Sequence, residues 1–196
     1  MRSIEGTVAG ISLWMARIGG ICLLGAALLV SVELIGRSSR LFVFSLGTEL
    51  SSYALALAAT WSLAFVVFER AHVRVDFIAQ RLPPGPRSVL DVLAMASLAA
   101  IGIVLTMGAL EMFATSLRLG TRSNTTLGLP LVIPHGAWAF GLAWFTGVAV
   151  MRFVQAGLAM VRRDFAEAAR IAASPNADDE VEEAIAETEQ RLSAQG

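Results

Sequence analysis

The stretch LSSYALALAATWSLAFVVF, residues 50–68, runs directly into ERAHVRVD, residues 69–76, and this pair decides how the chain folds. The first part carries no charge. A bilayer core of about 30 Å needs roughly 20 helical residues at about 1.5 Å each, so this run suffices to cross it. The second part crowds Glu69, Arg70, His72, Arg74 and Asp76 together, and another long apolar run begins beyond Leu82-Pro83-Pro84-Gly85-Pro86. A dense charge cluster therefore lies where a membrane-spanning helix emerges into water, between two apolar halves of the chain.

Composition agrees with that class. Of 196 residues, 56% are hydrophobic and 16% charged, against about 25% charged in soluble domains. Mean hydropathy is +0.66. The formal net charge of -1 gives no sign of a nucleic-acid partner. All basic residues are Arg, whose planar fork also suits phosphate headgroups of membrane lipids. Cys22 is the single cysteine, which excludes an intramolecular disulfide and reads as a small packed hydrophobe.

The charges bound four uncharged stretches: Arg17 to Glu33, Glu49 to Glu69, Asp91 to Glu111 and Arg122 to Arg152. The first is short unless Arg17 and Glu33 snorkel from near the helix ends. An all-α integral membrane protein is expected, with four transmembrane helices at about 12–36, 48–68, 89–116 and 131–161. These form a membrane domain over 1–163. A cleavable signal peptide fits the first span poorly: Arg17 interrupts its lead-in, and Glu33 to Arg37 offers no small-residue cleavage site. Ala54 and Ala58, Ala96 and Ala100, and Ala137 and Gly141 repeat at intervals of four, a spacing that lets helices approach closely.

Arginine placement sets the orientation. Arg2, Arg17, Arg70, Arg74, Arg81, Arg87, Arg152, Arg162, Arg163 and Arg170 fall on one side, against Arg37, Arg40, Arg118 and Arg122 on the other. Both termini and the central loop are thus expected in the cytoplasm. In that loop His72, Arg74 and Asp76 alternate with Val73 and Val75 as in a strand, while Ala71, Val75, Ile78, Ala79 and Leu82 are spaced as in an amphipathic helix. The helix is preferred, since a lone strand beside a membrane has no partner; it would lie along the interface between spans two and three.

The charge pattern holds no sign of intramembrane chemistry. Glu33, Glu49, Asp91 and Glu111 all read as lying at span ends, whereas ion-moving proteins hold carboxylates at the midplane. His72 and His135 fall on opposite sides and cannot share a metal, and no cofactor motif or nucleophile with its base is present. An enzyme is not expected. Glu33 and Arg37 are spaced for a same-face ion pair, and Thr48-Glu49 reads as an N-cap with a first-turn acid. Pro134 and His135 open the fourth span, the histidine as an interfacial polar residue. Trp61 stands well inside its span, so its indole N–H requires a protein acceptor, either within the bundle or in another membrane subunit.

Glu49, Trp61, His72-Val73-Arg74-Val75-Asp76 and Leu82-Pro83 together resemble the signature of the small membrane subunit of tripartite ATP-independent periplasmic (TRAP) transporters. Arg37 and the run Leu127-Gly128-Leu129-Pro130-Leu131-Val132-Ile133-Pro134 extend the likeness, which covers about residues 12–161. One departure is Trp61-Ser62-Leu63-Ala64, where the family commonly has a glycine soon after the tryptophan. The resemblance implies a non-catalytic subunit of the bacterial inner membrane. It would scaffold a large substrate-translocating subunit during sodium-coupled uptake of an organic acid brought by a periplasmic binding protein. Trp61, His72, Arg74 and Asp76 would then be packing or interface residues, and Arg37 and Glu49 would lie at the end where the binding protein docks. The competing class is a free-standing four-helix channel or homo-oligomeric exporter.

Beyond about residue 164 the chain changes character. Asp178, Asp179, Glu180, Glu182, Glu183, Glu187 and Glu189 make an acidic cytoplasmic tail, expected to be disordered or, through the thin stripe Val181, Ile185, Thr188 and Leu192, marginally helical.

Overall fold

The computed structural model describes residues 2–39, 46–69, 84–125 and 127–162. The expected interfacial helix, the residues His72, Arg74 and Asp76, and the acidic tail lie outside these. Four helices occupy the described residues: α1 (Arg2–Ser38), α2 (Gly47–Phe68), α3 (Pro84–Leu119) and α4 (Val132–Val161). Each is long and apolar enough to cross a membrane, so the chain is an all-helical membrane protein.

The helices overrun the apolar stretches that predict them. No proline interrupts residues 2–12, and α1 begins far ahead of Ser12 despite Gly6 and Gly10. Helix α3 begins at Pro84, where a first-position proline costs nothing because its missing N–H would be unsatisfied anyway. Pro134 sits in the first turn of α4 for the same reason.

Packing is serial. Helix α1 packs on α2, α2 on α4, and α4 on α3. The two hairpins α1–α2 and α3–α4 are therefore joined through the inner pair, with α1 and α3 at the edges. The central core is Ala64 and Val67 of α2, Ala99 of α3, and Phe145, Val148 and Ala149 of α4. Met95 with Ala156 and Ala109 with Ala139 and Leu142 continue the α3–α4 seam on either side. The apolar window of α4 is 33% buried, that of α1 only 11%.

Polar side chains tie neighbouring helices across these seams. The Trp61 indole donates to the Ala137 carbonyl at 2.9 Å. The Trp144 indole donates to the Ser12 hydroxyl at 3.0 Å, and that hydroxyl donates to the Val8 carbonyl. The hydroxyls of Thr106 and Thr146 meet at 2.8 Å, and the Ser116 hydroxyl meets His135 Nδ1 at 2.7 Å. His135 thus lies in the α3–α4 seam.

Two expectations need correction. Thr48 does not cap α2: the helix begins at Gly47, and no side chain caps it from the Leu46 position. Glu33 of α1 does that work, its Oε2 accepting the Gly47 N–H at 2.6 Å. A carboxylate there satisfies an orphan donor and faces the positive end of the helix dipole. Glu111, placed at a span end by counting charges, lies deeper. The contacts of Ser116 with His135 and Thr106 with Thr146 put it beside the Ala139–Gly141 turn, and Gly141 faces Thr60 and Trp61.

The small residues divide similarly. Gly141 meets α2 so closely that an added Cβ would stand 2.5 Å from Trp61 Cδ1 and 2.8 Å from Thr60 Oγ1. Ala58 backs onto Gly19 of α1, while Ala100 faces outward. Replacing Gly141 by Val is expected to destabilise the bundle by about 1–3 kcal/mol, the usual cost of overpacking. Thermal unfolding in detergent reads this directly; an unchanged midpoint would contradict the close α2–α4 approach.

Candidate functional site

The most elaborate polar structure lies where α2 begins. Glu33 bridges two partners, accepting from Gly47 and from Arg37 Nη2 at 3.0 Å. Arg37 itself is 58% exposed at its side chain, so the ion pair orients the carboxylate more than it adds stability. Within the first turn of α2, Glu49 is largely buried at 8% exposure. Its Oε1 accepts from the Tyr53 hydroxyl at 2.8 Å, and its Oε2 accepts from the Thr125 hydroxyl. The Ser123 and Thr125 hydroxyls in turn meet at 2.8 Å beside this carboxylate.

Thr125 and Ser123 belong to the connection between α3 and α4, which is itself tightly built. Arg122 and Pro130 form an isolated antiparallel bridge. Ser123 N–H donates to the Leu129 carbonyl at 2.8 Å, and Leu131 N–H to the Thr121 carbonyl at 3.0 Å. Arg122 reaches across to the Gly128 carbonyl at 3.3 Å. Gly128 has φ +54°, a left-handed conformation that a side chain would strain. The connection is thus a preformed knob, held to α2 by Glu49.

Between knob and helix is an open depression of about 890 Å³, lined by Thr48, Glu49, Ser52, Tyr53, Ser123, Asn124 and Thr125. All its lining side chains carry oxygen, and Glu49 is the charged one. Such a surface can accept or donate hydrogen bonds to an incoming polar or cationic group. Among the described residues no cluster of His, Cys, Asp and Glu could hold a metal.

Of the residues singled out in the sequence, Arg37 and Glu49 lie at this end but do not touch; they belong to separate, adjoining networks. Trp61 lies well down α2, bonded to α4 and in edge-on contact with Phe140, the rings 6.1 Å apart at 67°. Its required acceptor is inside the bundle. Toward the Phe68 end, the Arg152 guanidinium stacks over the Phe68 ring at 4.6 Å, with Asp91 and Ser88 buried on α3. Thr125, Ser123 and Tyr53 were not singled out in the sequence. Tyr53 could have been, standing four residues after Glu49 on the same helix face.

Four membrane-crossing helices, tied internally and carrying a polar knob at one end, define a multi-pass membrane protein. The family model for the DctQ component of tripartite ATP-independent periplasmic transporters matches residues 26–158. The chain belongs to that family and is a component of a TRAP transporter. No curated protein and no solved structure matches it.

Two substitutions probe these networks. Glu49→Ala removes the acceptor that fixes the knob and is expected to speed amide exchange at Ser123, Gly128 and Leu131 several-fold, leaving the helix interiors protected. Unaltered exchange there would show that the connection holds itself. Trp61→Phe keeps the ring but removes the indole N–H, and should lower stability by about 0.5–1.5 kcal/mol, the range for interhelical hydrogen bonds in membranes. Equal unfolding midpoints would deny the Ala137 bond any energetic role.

Proposed function

We propose that this chain is the non-catalytic small membrane subunit of a TRAP-type secondary transporter of the bacterial inner membrane. It would scaffold the large subunit that moves substrate, in sodium-coupled uptake of an organic acid delivered by a periplasmic binding protein. The observation that carries this reading is the family match across residues 26–158. The internal ties support the scaffold role: bonds from Trp61, Trp144, Thr106 and Ser116 hold four helices in one arrangement. A rigid frame is what a stationary partner of a moving subunit requires.

The arginine distribution supports an orientation with both termini and the loop containing His72, Arg74 and Asp76 in the cytoplasm. The knob, Glu49 and Arg37 then face the periplasm, where the binding protein docks. Trp61 acts as an internal packing residue, and the His72–Asp76 segment as an assembly element on the opposite face.

Affinity purification of the full chain from mild detergent tests the proposal. A large, many-span membrane protein is expected to accompany it, and uptake in liposomes should require that protein together with a periplasmic binding protein. Transport by this chain alone would instead establish a free-standing channel or exporter. Trp61→Ala, and separately the joint replacement of His72, Arg74 and Asp76 by Ala, should weaken recovery of the large subunit or slow uptake. Full recovery and full uptake in both variants would remove these residues from the assembly role.

A further inference from the structure

Glu111 is an exposed carboxylate on the outer face of α3, at the depth where α2 carries Thr60 and Trp61. By helical rise it lies roughly 12 Å inside the end of α3 at Leu119. Helical side chains lean toward the helix N-terminus, and for α3 this carries the carboxylate away from the nearer end. Among the described residues Glu111 makes no hydrogen bond or ion pair.

Its neighbours on the same face do not serve a charge. Val104 is 69% exposed and Met107 66%, and both are apolar. Gly108 lies one turn before Glu111 with nothing within 4 Å of where its Cβ would stand, so the α3 backbone is open to close approach. Ser97, Ala100 and Thr115 continue that exposed face with further small side chains. The opposite edge of the bundle differs. Arg17 of α1 is also exposed, but its guanidinium already lies 5.6 Å from the Trp14 ring centroid.

A carboxylate held among apolar side chains within the membrane marks an interface, because lipid chains offer it neither a counter-charge nor a donor. Small residues beside it fit a helix and are of no special use to lipid. We infer that the α3 edge centred on Glu111 and Gly108 is the seam on which the large subunit docks, through a transmembrane helix that presents a basic or hydrogen-bond-donating side chain to Glu111. The inference rests on the assembly proposed above and names the face and the chemistry of contact. Helix α1, with its charge already served by Trp14, faces lipid.

The test uses the full chain co-expressed with the large subunit and recovered through a tag on the latter. Photo-crosslinking side chains placed at Val104 or Met107 should join the two proteins, whereas the same group at Leu24 or Leu28 of α1 should not. Glu111→Arg should lower recovery of the complex by about tenfold or more, as like charges meet or the donor is repelled. Glu111→Leu suits a lipid-facing position, so the isolated chain should unfold at an unchanged temperature while recovery of the complex still falls. Unchanged recovery in both variants, cross-links from α1 in place of α3, or cross-links between two copies of this chain would each overturn the inference. If the unaltered chain recovers no large subunit, the assembly itself is wrong; if it does and the Glu111 variants match it, only the α3 seam is wrong.

Discussion

The bond from the Trp61 indole to the Ala137 carbonyl holds the seam on which the remaining structure depends. Within a membrane there is no hydrophobic gain from pressing one apolar helix on another, since lipid tails are equally apolar. Helices α2 and α4 must therefore be held by close packing and by directed polar contacts. The Ala137 carbonyl can serve both its helix and the indole because it has two lone pairs. Gly141, one turn further on, leaves room for the same ring. This inner pair makes the main contact between the two hairpins, so its geometry governs where the edges fall. Helix α1 then hangs on α2 by close backbone approach at Gly19 and on α4 by the Trp144–Ser12 bond. Helix α3 hangs on α4 by paired hydroxyls and by His135.

The same logic explains how the bundle treats its acids. Glu33 and Glu49 both sit where backbone or hydroxyl donors converge, one at the first N–H of α2 and the other at the knob. Each carboxylate is thereby converted from an expense of burial into a positional device. Glu33 fixes where α2 begins relative to α1. Glu49 fixes the α3–α4 connection relative to α2, so the polar end is a defined surface on which the flanking helices agree. Glu111 lacks such donors among the described residues, and this separates it physically from the other two.

Much of this was legible in the sequence, for local reasons. Uncharged runs bounded by charges gave four helices because a bilayer imposes length and apolarity on each span separately. Glu33 and Arg37 pair because they are one turn apart. Trp61 announced its need for an acceptor because a lone indole N–H inside an apolar run has few alternatives. What escaped was relational. The Thr48 cap was a sound local reading, displaced by a carboxylate from another helix. Thr125 reaches Glu49 across 76 positions, a pairing no periodicity encodes. Counting residues from the ends of α3 could not reveal how far α3 is offset against α2, and the depth of Glu111 followed only from that offset.

Serial packing has a consequence for what the molecule can do by itself. A closed bundle places four apolar stripes around one axis and can line that axis with polar groups. Here α1 and α3 stand at opposite edges with little direct packing between them, and the described interhelical polar groups meet in pairs across individual seams. The Thr106–Thr146 and Ser116–His135 contacts each join α3 to α4. A row of this kind exposes broad apolar flanks for its mass, with the window of α1 scarcely covered. Flanks of that extent have use in a bilayer as surfaces against lipid and against another membrane protein. Such flanks agree with the scaffold role proposed above, and the polar knob is a fixed feature at one end of the chain.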